Sequence, residues 1–267
     1  MAHGLSSIDW EAPWLMPWRE QGEWVAQRVK QGASVEQACN EALALLKRQL
    51  NMPKLNMQHP STQSICEVQF VPQSVLPEGQ AYEQFIFDTH SVPTRDGLHD
   101  FFNALCWLQF PLAKKQLNLV QARAIQAQGV GSVRGPVRDA VTVFDENATL
   151  IQLPDSLWHA LQERNWHTAF GAMKAHWADV QIWVFGHAAL EKLANPYKAI
   201  TVHLWRVPSN LPLSEWDAWL AQDLQPDKLA LKPFLPTPVL GIPGWWSANE
   251  SPDFYADAEV FRPPRRA

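Results

Sequence analysis

Tryptophan is the residue that most constrains how this chain can fold. The sequence of 267 residues contains 14 Trp and 21 Pro but only 3 Tyr. An indole ring can stack on a sugar or a nucleobase, but its commoner role is to fill a hydrophobic core. Because 46% of the residues are hydrophobic and only 18% are charged, we expect a large buried core that contains most of these rings.

Composition and charge exclude several classes of protein. No apolar stretch reaches the roughly 20 residues that a membrane-spanning helix needs, and the first residues lack the basic and apolar segments of a secretory signal. The three cysteines Cys39, Cys66 and Cys106 have no metal-binding spacing, which favours reduced thiols and a cytoplasmic location. A net charge of −5 argues against a surface built to bind nucleic acid.

The periodicity of apolar residues predicts a predominantly helical α+β fold, with a few short strands and a Pro/Trp-rich C-terminal strap. We expect one domain over residues 1–267. Its parts are a pair of N-terminal helices within residues 8–50, a helical region over residues 82–148, a mixed α/β region over residues 149–224 and an ordered strap over residues 225–267. Short strands are expected at residues 65–72, 180–185 and 200–207.

A polar stripe runs along the helix predicted to begin near Asp96 and to end before Pro111. Its side chains lie at positions i, i+3, i+4 and i+7, which share one face of a helix: Asp96, His99, Asp100 and Asn103. A carboxylate beside an imidazole can orient it and raise its basicity. We therefore take His99, Asp100 and Asp96 as candidate catalytic residues, with His90 in the preceding loop. The alternative is that the acids stabilise the helix start and the other polar groups are satisfied locally.

The next segment is locally basic in an acidic protein. Between Phe101 and Arg138 there is no Asp or Glu, and a glycine-rich link at residues 129–135 leads into a helix that begins at Pro136. A helix N-terminus attracts anions, and arginine binds phosphate or carboxylate bidentately. The candidate anion-binding residues are Arg95, Lys114, Arg134 and Arg138, and the supporting residues are Asn103, Asn118, Asp139, Asp145 and His187. The alternative is a tight turn whose arginines pair with nearby acids.

The dipeptide His99-Asp100 also invites comparison with the HD-type metal phosphohydrolases. Only this dipeptide matches, so we assign no metal ligands, and the sequence identifies no cofactor.

Several motifs together resemble one uncharacterised family. The longest covers residues 89–105 and continues through residues 107–111 and Lys114, and later ones lie at residues 138–147, 185–188 and 241–246. These runs are similar to the signature of a proteobacterial family known as domain of unknown function 3025. The resemblance implies a bacterial cytoplasmic protein, and it brings no established activity or ligand.

Two functional hypotheses follow. The leading one is an enzyme or binding protein for a small anionic, phosphate-bearing molecule or a nucleotide, with an Arg/Lys anion site and a His-Asp acid–base pair. The alternative is a non-catalytic interaction or scaffold protein whose polar motif is a buried structural network. Processing of nucleic acid is possible but not favoured, no membrane contact is expected, and no protein partner is indicated.

Overall fold

The computed structural model describes residues 2–50, 68–128 and 135–264. The α-helices of this part of the chain are α1 Ala2–Ser6, α2 Arg19–Lys30, α3 Val35–Leu50, α4 Tyr82–Thr89, α5 Leu98–Gln109, α6 Pro111–Gln128, α7 Pro136–Asn147, α8 Asp155–Gln162, α9 His187–Leu193, α10 Trp216–Asp223 and α11 Pro226–Ala230. A π-helical turn spans His167–Ala172, and a 3₁₀ helix follows at Lys174–Asp179.

The strands form two small sheets. In one, β1 Gln69–Pro72 pairs in parallel with β2 Ser91–Thr94. The other has the order β4-β3-β5-β6, with β3 Ala148–Gln152, β4 Gln181–Val184, β5 Thr201–Arg206 and β6 Leu235–Pro238. Strand β3 is antiparallel to β4 and parallel to β5, and β5 is antiparallel to β6. The predicted predominantly helical α+β class is confirmed.

Three strands were not predicted, and each has a physical reason. The loop expected around His90 covered residues 90–93, because Pro93 disfavours helical dihedrals at Val92. Strand β2 nevertheless forms there by pairing with β1. Strand β6 contains Pro236 and Pro238, and it lies at an edge of its sheet, where proline is tolerated. Strand β3 follows α7 without a turn signal. Within the mixed α/β region, the π-helical turn at His167–Ala172 and the 3₁₀ helix at Lys174–Asp179 take the place of a regular α-helix.

The tryptophans pack as expected. All fourteen are described, nine of them are buried, and the other five are partly buried against the core. A buried indole usually finds a partner for its N–H group. Trp14 donates to the carbonyl of Leu193 at 3.1 Å and Trp18 donates to that of Val184 at 3.1 Å. The segment before α2 is therefore fastened to β4 and to the end of α9.

The C-terminal segment is described through Pro264, and many of its apolar residues pack into the core. Val239, Leu240 and Phe261 are buried there. The Asn249 amide donates to the carbonyls of Leu240 and Ile242 at 2.8 and 2.7 Å, which fixes the coil between short 3₁₀ turns. The segment is more regular than the expected strap, because it also contains α11 and β6.

The start of α6 is capped by a residue from a distant helix. The Asp217 carboxylate on α10 accepts the backbone N–H groups of Leu112 and Ala113 at 3.1 and 2.9 Å. These N–H groups belong to the first turn, where a helix has no internal acceptors. The buried carboxylate therefore fixes α6 against α10. Its negative charge also interacts favourably with the positive N-terminal end of the α6 dipole.

We expect Asp217→Ala to lower the free energy of unfolding by about 1–2 kcal/mol, because two buried N–H groups lose their acceptor. Urea denaturation of wild type and variant measures this difference. Asp179→Ala, at an exposed position, is the matched control and should change stability by less than about 0.5 kcal/mol. Equal losses in the two variants would contradict a capping role.

Candidate functional site

A cavity of about 490 Å³ lies between helices α4, α5, α6 and α7 and the start of α9. This volume is in the range of small-molecule sites. Each helix contributes polar side chains at helical spacing. The polar and charged residues lining the cavity include Tyr82, Glu83, Arg95, His99, Asp100, Asn103, Lys114, Asn118, Gln121, Arg138, Thr142, Asp145, Glu146 and His187. The structure thus brings together most of the residues selected from the sequence.

Two histidines contact each other at one end of the cavity. His99 Nε2 lies 3.1 Å from His187 Nε2, with the rings nearly perpendicular at 85°. His99 Nδ1 lies 2.9 Å from Glu191 Oε2. The carboxylate partner of His99 is therefore Glu191 and not Asp100, which corrects the expected His-Asp pair. Glu191 was missed by sequence reasoning, although it stands four residues after His187 and so shares its face of α9.

Asp100 holds Arg95 at the edge of the cavity. Its carboxylate accepts the backbone N–H of Arg95 at 2.7 Å, the Nε–H at 2.9 Å and an Nη2 hydrogen at 3.0 Å. The Asp100 side chain is 8% exposed, whereas that of Arg95 is 65% exposed. Asp100 on α5 therefore holds the Arg95 guanidinium in a fixed orientation at the mouth of the cavity.

A buried ion pair lies deeper in the wall. The Lys114 ammonium on α6 donates to Asp145 Oδ1 on α7 at 2.5 Å and to Asn103 Oδ1 on α5 at 2.8 Å. Burial alone would raise the pKa of Asp145, but the positive charge of Lys114, assisted by His187, holds that pKa below its ordinary value. Asp145 is therefore ionised at neutral pH.

His187 is neutral at the same pH. Burial lowers its pKa to about 4, and the charge of Lys114 acts in the same direction, while Asp145 opposes the shift. The distance from His187 Nδ1 to Asp145 Oδ2 is 3.7 Å, longer than a hydrogen bond.

Helix α4 contributes two residues that sequence reasoning missed. Asn118 donates to the carbonyl oxygen of Glu83 at 2.8 Å and to its Oε2 at 2.7 Å. Burial, together with the charge of Asp145, raises the pKa of Glu83. Asn103 donates to the Tyr82 hydroxyl at 3.2 Å, and burial raises the pKa of that phenol well above its usual value. No motif distinguishes these two residues in the sequence.

Three described residues selected from the sequence do not line this cavity. Asp96 Oδ1 instead accepts the Val35 N–H at 2.9 Å, at the start of α3. His90 is exposed and ends α4 with a left-handed φ of 52°. Asp139 forms an exposed ion pair with Lys232. Arg134 lies outside the described residues.

Other chemistries find little support. Within residues 2–50, 68–128 and 135–264, no group of three or more His, Cys, Asp or Glu side chains could hold a metal ion. Cys39 and Cys106 are free and buried, and burial raises the pKa of both thiols, which does not favour nucleophilic chemistry. Cys66 lies outside the described part. None of the described helices has the length and apolar character needed to cross a bilayer.

A glycine allows the two histidines to meet. At Gly186, just before α9, an added Cβ would lie 2.4 Å from the carbonyl oxygen of Glu146 and 2.5 Å from the backbone nitrogen of Asn147. No L-residue with a side chain fits against backbone at these distances. The absence of a side chain therefore brings the start of α9, with His187, against the end of α7, where Asp145 lies.

We expect Gly186→Ala to destabilise the fold by about 1–3 kcal/mol, because the backbones of α7 and α9 must separate. Thermal unfolding measures the loss. Gly171→Ala is the control, since its added Cβ would meet no atom within 4 Å. The prediction fails if the Gly186 variant is as stable as the Gly171 variant.

The low pKa of His187 predicts acid sensitivity. Between about pH 6.5 and pH 4 the unfolded chain binds a proton at this residue and the folded chain does not, so the free energy of unfolding falls as pH falls through this window. We expect His187→Gln to remove up to about 3 kcal/mol of this dependence.

Melting temperatures of wild type and variant across this range test the effect of His187. His159→Gln, at an exposed position on α8, should keep the slope of the wild type. Parallel curves for the wild type and the His187 variant would rule the assignment out.

Comparison with known proteins identifies a family without assigning a reaction. No curated protein and no solved structure matches the chain. A family model described as "Protein of unknown function (DUF3025)" matches residues 68–265, which contain every residue of the cavity. The chain therefore belongs to the DUF3025 family.

Proposed function

We propose that the cavity binds a small molecule with one anionic group, and that His99 transfers a proton to or from this ligand. The observation that carries the proposal is the position of His99. Its side chain is 39% exposed on the cavity wall, and both of its ring nitrogens have partners, Glu191 on one side and His187 on the other. A carboxylate that holds an imidazole in this way is a recurring arrangement in acid–base catalysis.

Counting protons shows how the pair could work. When His99 is neutral, it donates Nδ1–H to Glu191 and accepts at Nε2 from His187. A ligand group that takes the place of His187 at Nε2 can give its proton to this nitrogen or take the proton back, while Nδ1–H stays on Glu191. When His99 is protonated, it then donates Nδ1–H to Glu191 and Nε2–H to the ligand. The contact with Glu191 is kept in both states, so the geometry supports proton exchange with a ligand at Nε2.

The anionic group would be held at the mouth, beside Arg95. Asp100 occupies Nε and Nη2 of this guanidinium, and within the described residues Nη1 donates no hydrogen bond to a side chain or carbonyl. Lys114 has three donor hydrogens, of which two are used by Asn103 and Asp145. These unused donors are the groups that could reach a carboxylate or phosphate oxygen.

The charge balance limits the ligand. Besides the histidines, three cationic and four acidic side chains line the cavity: Arg95, Lys114, Arg138, Glu83, Asp100, Asp145 and Glu146. The cavity is therefore not strongly electropositive, which favours a ligand with a single anionic group over a polyphosphate. Nucleic acid is disfavoured for the same reason. A cytoplasmic location remains part of the proposal, and Arg134 remains a predicted anion-binding residue.

A thermal-shift screen tests the proposal. The probes are small carboxylates, phosphomonoesters and nucleoside monophosphates, and a ligand at 100 times its Kd stabilises the fold by about 2.7 kcal/mol. We expect Arg95→Met to weaken binding of a hit at least tenfold, measured against that variant's own ligand-free melting temperature. Arg28→Met is the control, because Arg28 pairs with Glu41 on the surface between α2 and α3. Equal affinity in the wild type and the Arg95 variant would refute the anion site.

A second candidate is the non-catalytic interaction protein. It is favoured by the pairing of Lys114 with both Asp145 and Asn103, which joins three helices as a structural network would. His99→Ala separates the two functions. A structural role predicts a loss of a few kcal/mol in stability, whereas a catalytic role predicts near-normal stability with the loss of proton transfer or ligand binding.

A further inference from the structure

A buried amide oxygen in the cavity wall has no partner in the described part of the chain. It belongs to Gln121 on α6, which is 8% exposed and lines the cavity. Among residues 2–50, 68–128 and 135–264, no group donates a hydrogen bond to its Oε1 atom. Leaving a buried amide oxygen unpaired costs free energy, so such atoms call for an explanation.

The polar neighbours of Gln121 on α6 have hydrogen-bond partners, whereas the Gln121 oxygen has none among the described residues. Asn118 and Lys114 lie one and two turns earlier on the same face of α6, and both donate to protein acceptors. Leu117 and Ile125, one turn before and one turn after Gln121 on α6, also line the cavity and are apolar, as is Val141 on α7. The Gln121 amide therefore lies among apolar side chains. A hydrogen bond made there is stronger than one made in water, because the local dielectric constant is low.

We propose that Gln121 is the specificity-determining residue of the cavity and that its amide recognises a ligand edge with an N–H donor beside an acceptor. This inference rests on the proposed function. A glutamine side chain presents a carbonyl and an NH₂ group side by side, so it pairs in two places with such an edge. The matching chemistry is found in carboxamides and in amino-substituted nucleobases.

The helix fixes the length of the ligand. Seven residues of α6 separate Gln121 from Lys114, which corresponds to about 10 Å along the helix axis. The donor–acceptor edge would lie at the Gln121 end of the ligand. Its anionic group would lie at the other end, near Lys114, Arg95 and His99.

The first test needs no ligand. Gln121→Met keeps the volume of the side chain and removes the unpaired amide, so we expect the ligand-free variant to melt at or above the temperature of the wild type. Gln126→Met is the matched control on the exposed side of the same helix. If Gln121→Met melts several degrees below both proteins, the amide has a structural partner and the inference is wrong.

The second test measures affinity with two pairs of probes. One pair is adenosine 5′-monophosphate and purine riboside 5′-monophosphate, which lacks the 6-amino donor. The other is N-acetylglutamine and the γ-methyl ester of N-acetylglutamate, which lacks the amide donor. In the wild type and in Gln126→Met, we expect the member of one pair that has the N–H donor to bind at least tenfold more tightly than the member that lacks it. In Gln121→Met, we expect the ratio of these two Kd values to fall to about one. The pair that shows the preference identifies the nucleobase or the carboxamide as the source.

The outcomes separate the inference from the proposed function. If a probe binds in a manner that depends on Arg95 but neither pair shows a preference, the role of Gln121 is refuted and the anion site stands. The role of Gln121 is also refuted if the preference persists in Gln121→Met. If these four probes and the wider panel of anions all fail to bind, both proposals are overturned.

Discussion

The buried contact of Lys114 with Asp145 and Asn103 is the interaction on which the cavity depends. It joins α5, α6 and α7 at one point, and the two histidines, Glu83 of α4 and the arginine at the mouth line the same cavity. Removing one partner of a buried ion pair leaves an uncompensated charge, which is far more costly than the net gain from forming the pair. The helices are thus held in one arrangement, and the electrostatics of every nearby group depend on it.

Helix periodicity made much of this site predictable. Polar residues at spacings of three, four and seven on α5, α6 and α7 face one cavity, because an α-helix places such positions on one side. His99 and Asn103 were found in this way. The expected pairing of His99 with Asp100 was wrong, because side chains adjacent in sequence point in different directions along a helix, and Asp100 reaches back to Arg95.

What remained hidden from the sequence depends on contacts between distant segments. Glu191 is 92 residues from His99, and Asp217 caps α6 from a helix more than 100 residues away. Strands β2 and β6 are short and contain proline, so only their pairing partners, and not their own residues, make them strands. Local patterns in a single sequence do not show which distant residues will come into contact, so these partners could not be predicted.

The two indole hydrogen bonds near the N-terminus bear on how the chain folds as it is synthesised. The carbonyl that accepts the Trp18 N–H lies 166 residues further along the chain, and the one that accepts the Trp14 N–H lies 179 residues further along. The segment that contains Trp14 and Trp18 is therefore synthesised long before β4 and α9, and its large apolar rings lack their native partners during that time. Since closing such long loops delays native contacts, this segment stays open to aggregation or to binding by a chaperone until its acceptors have been made.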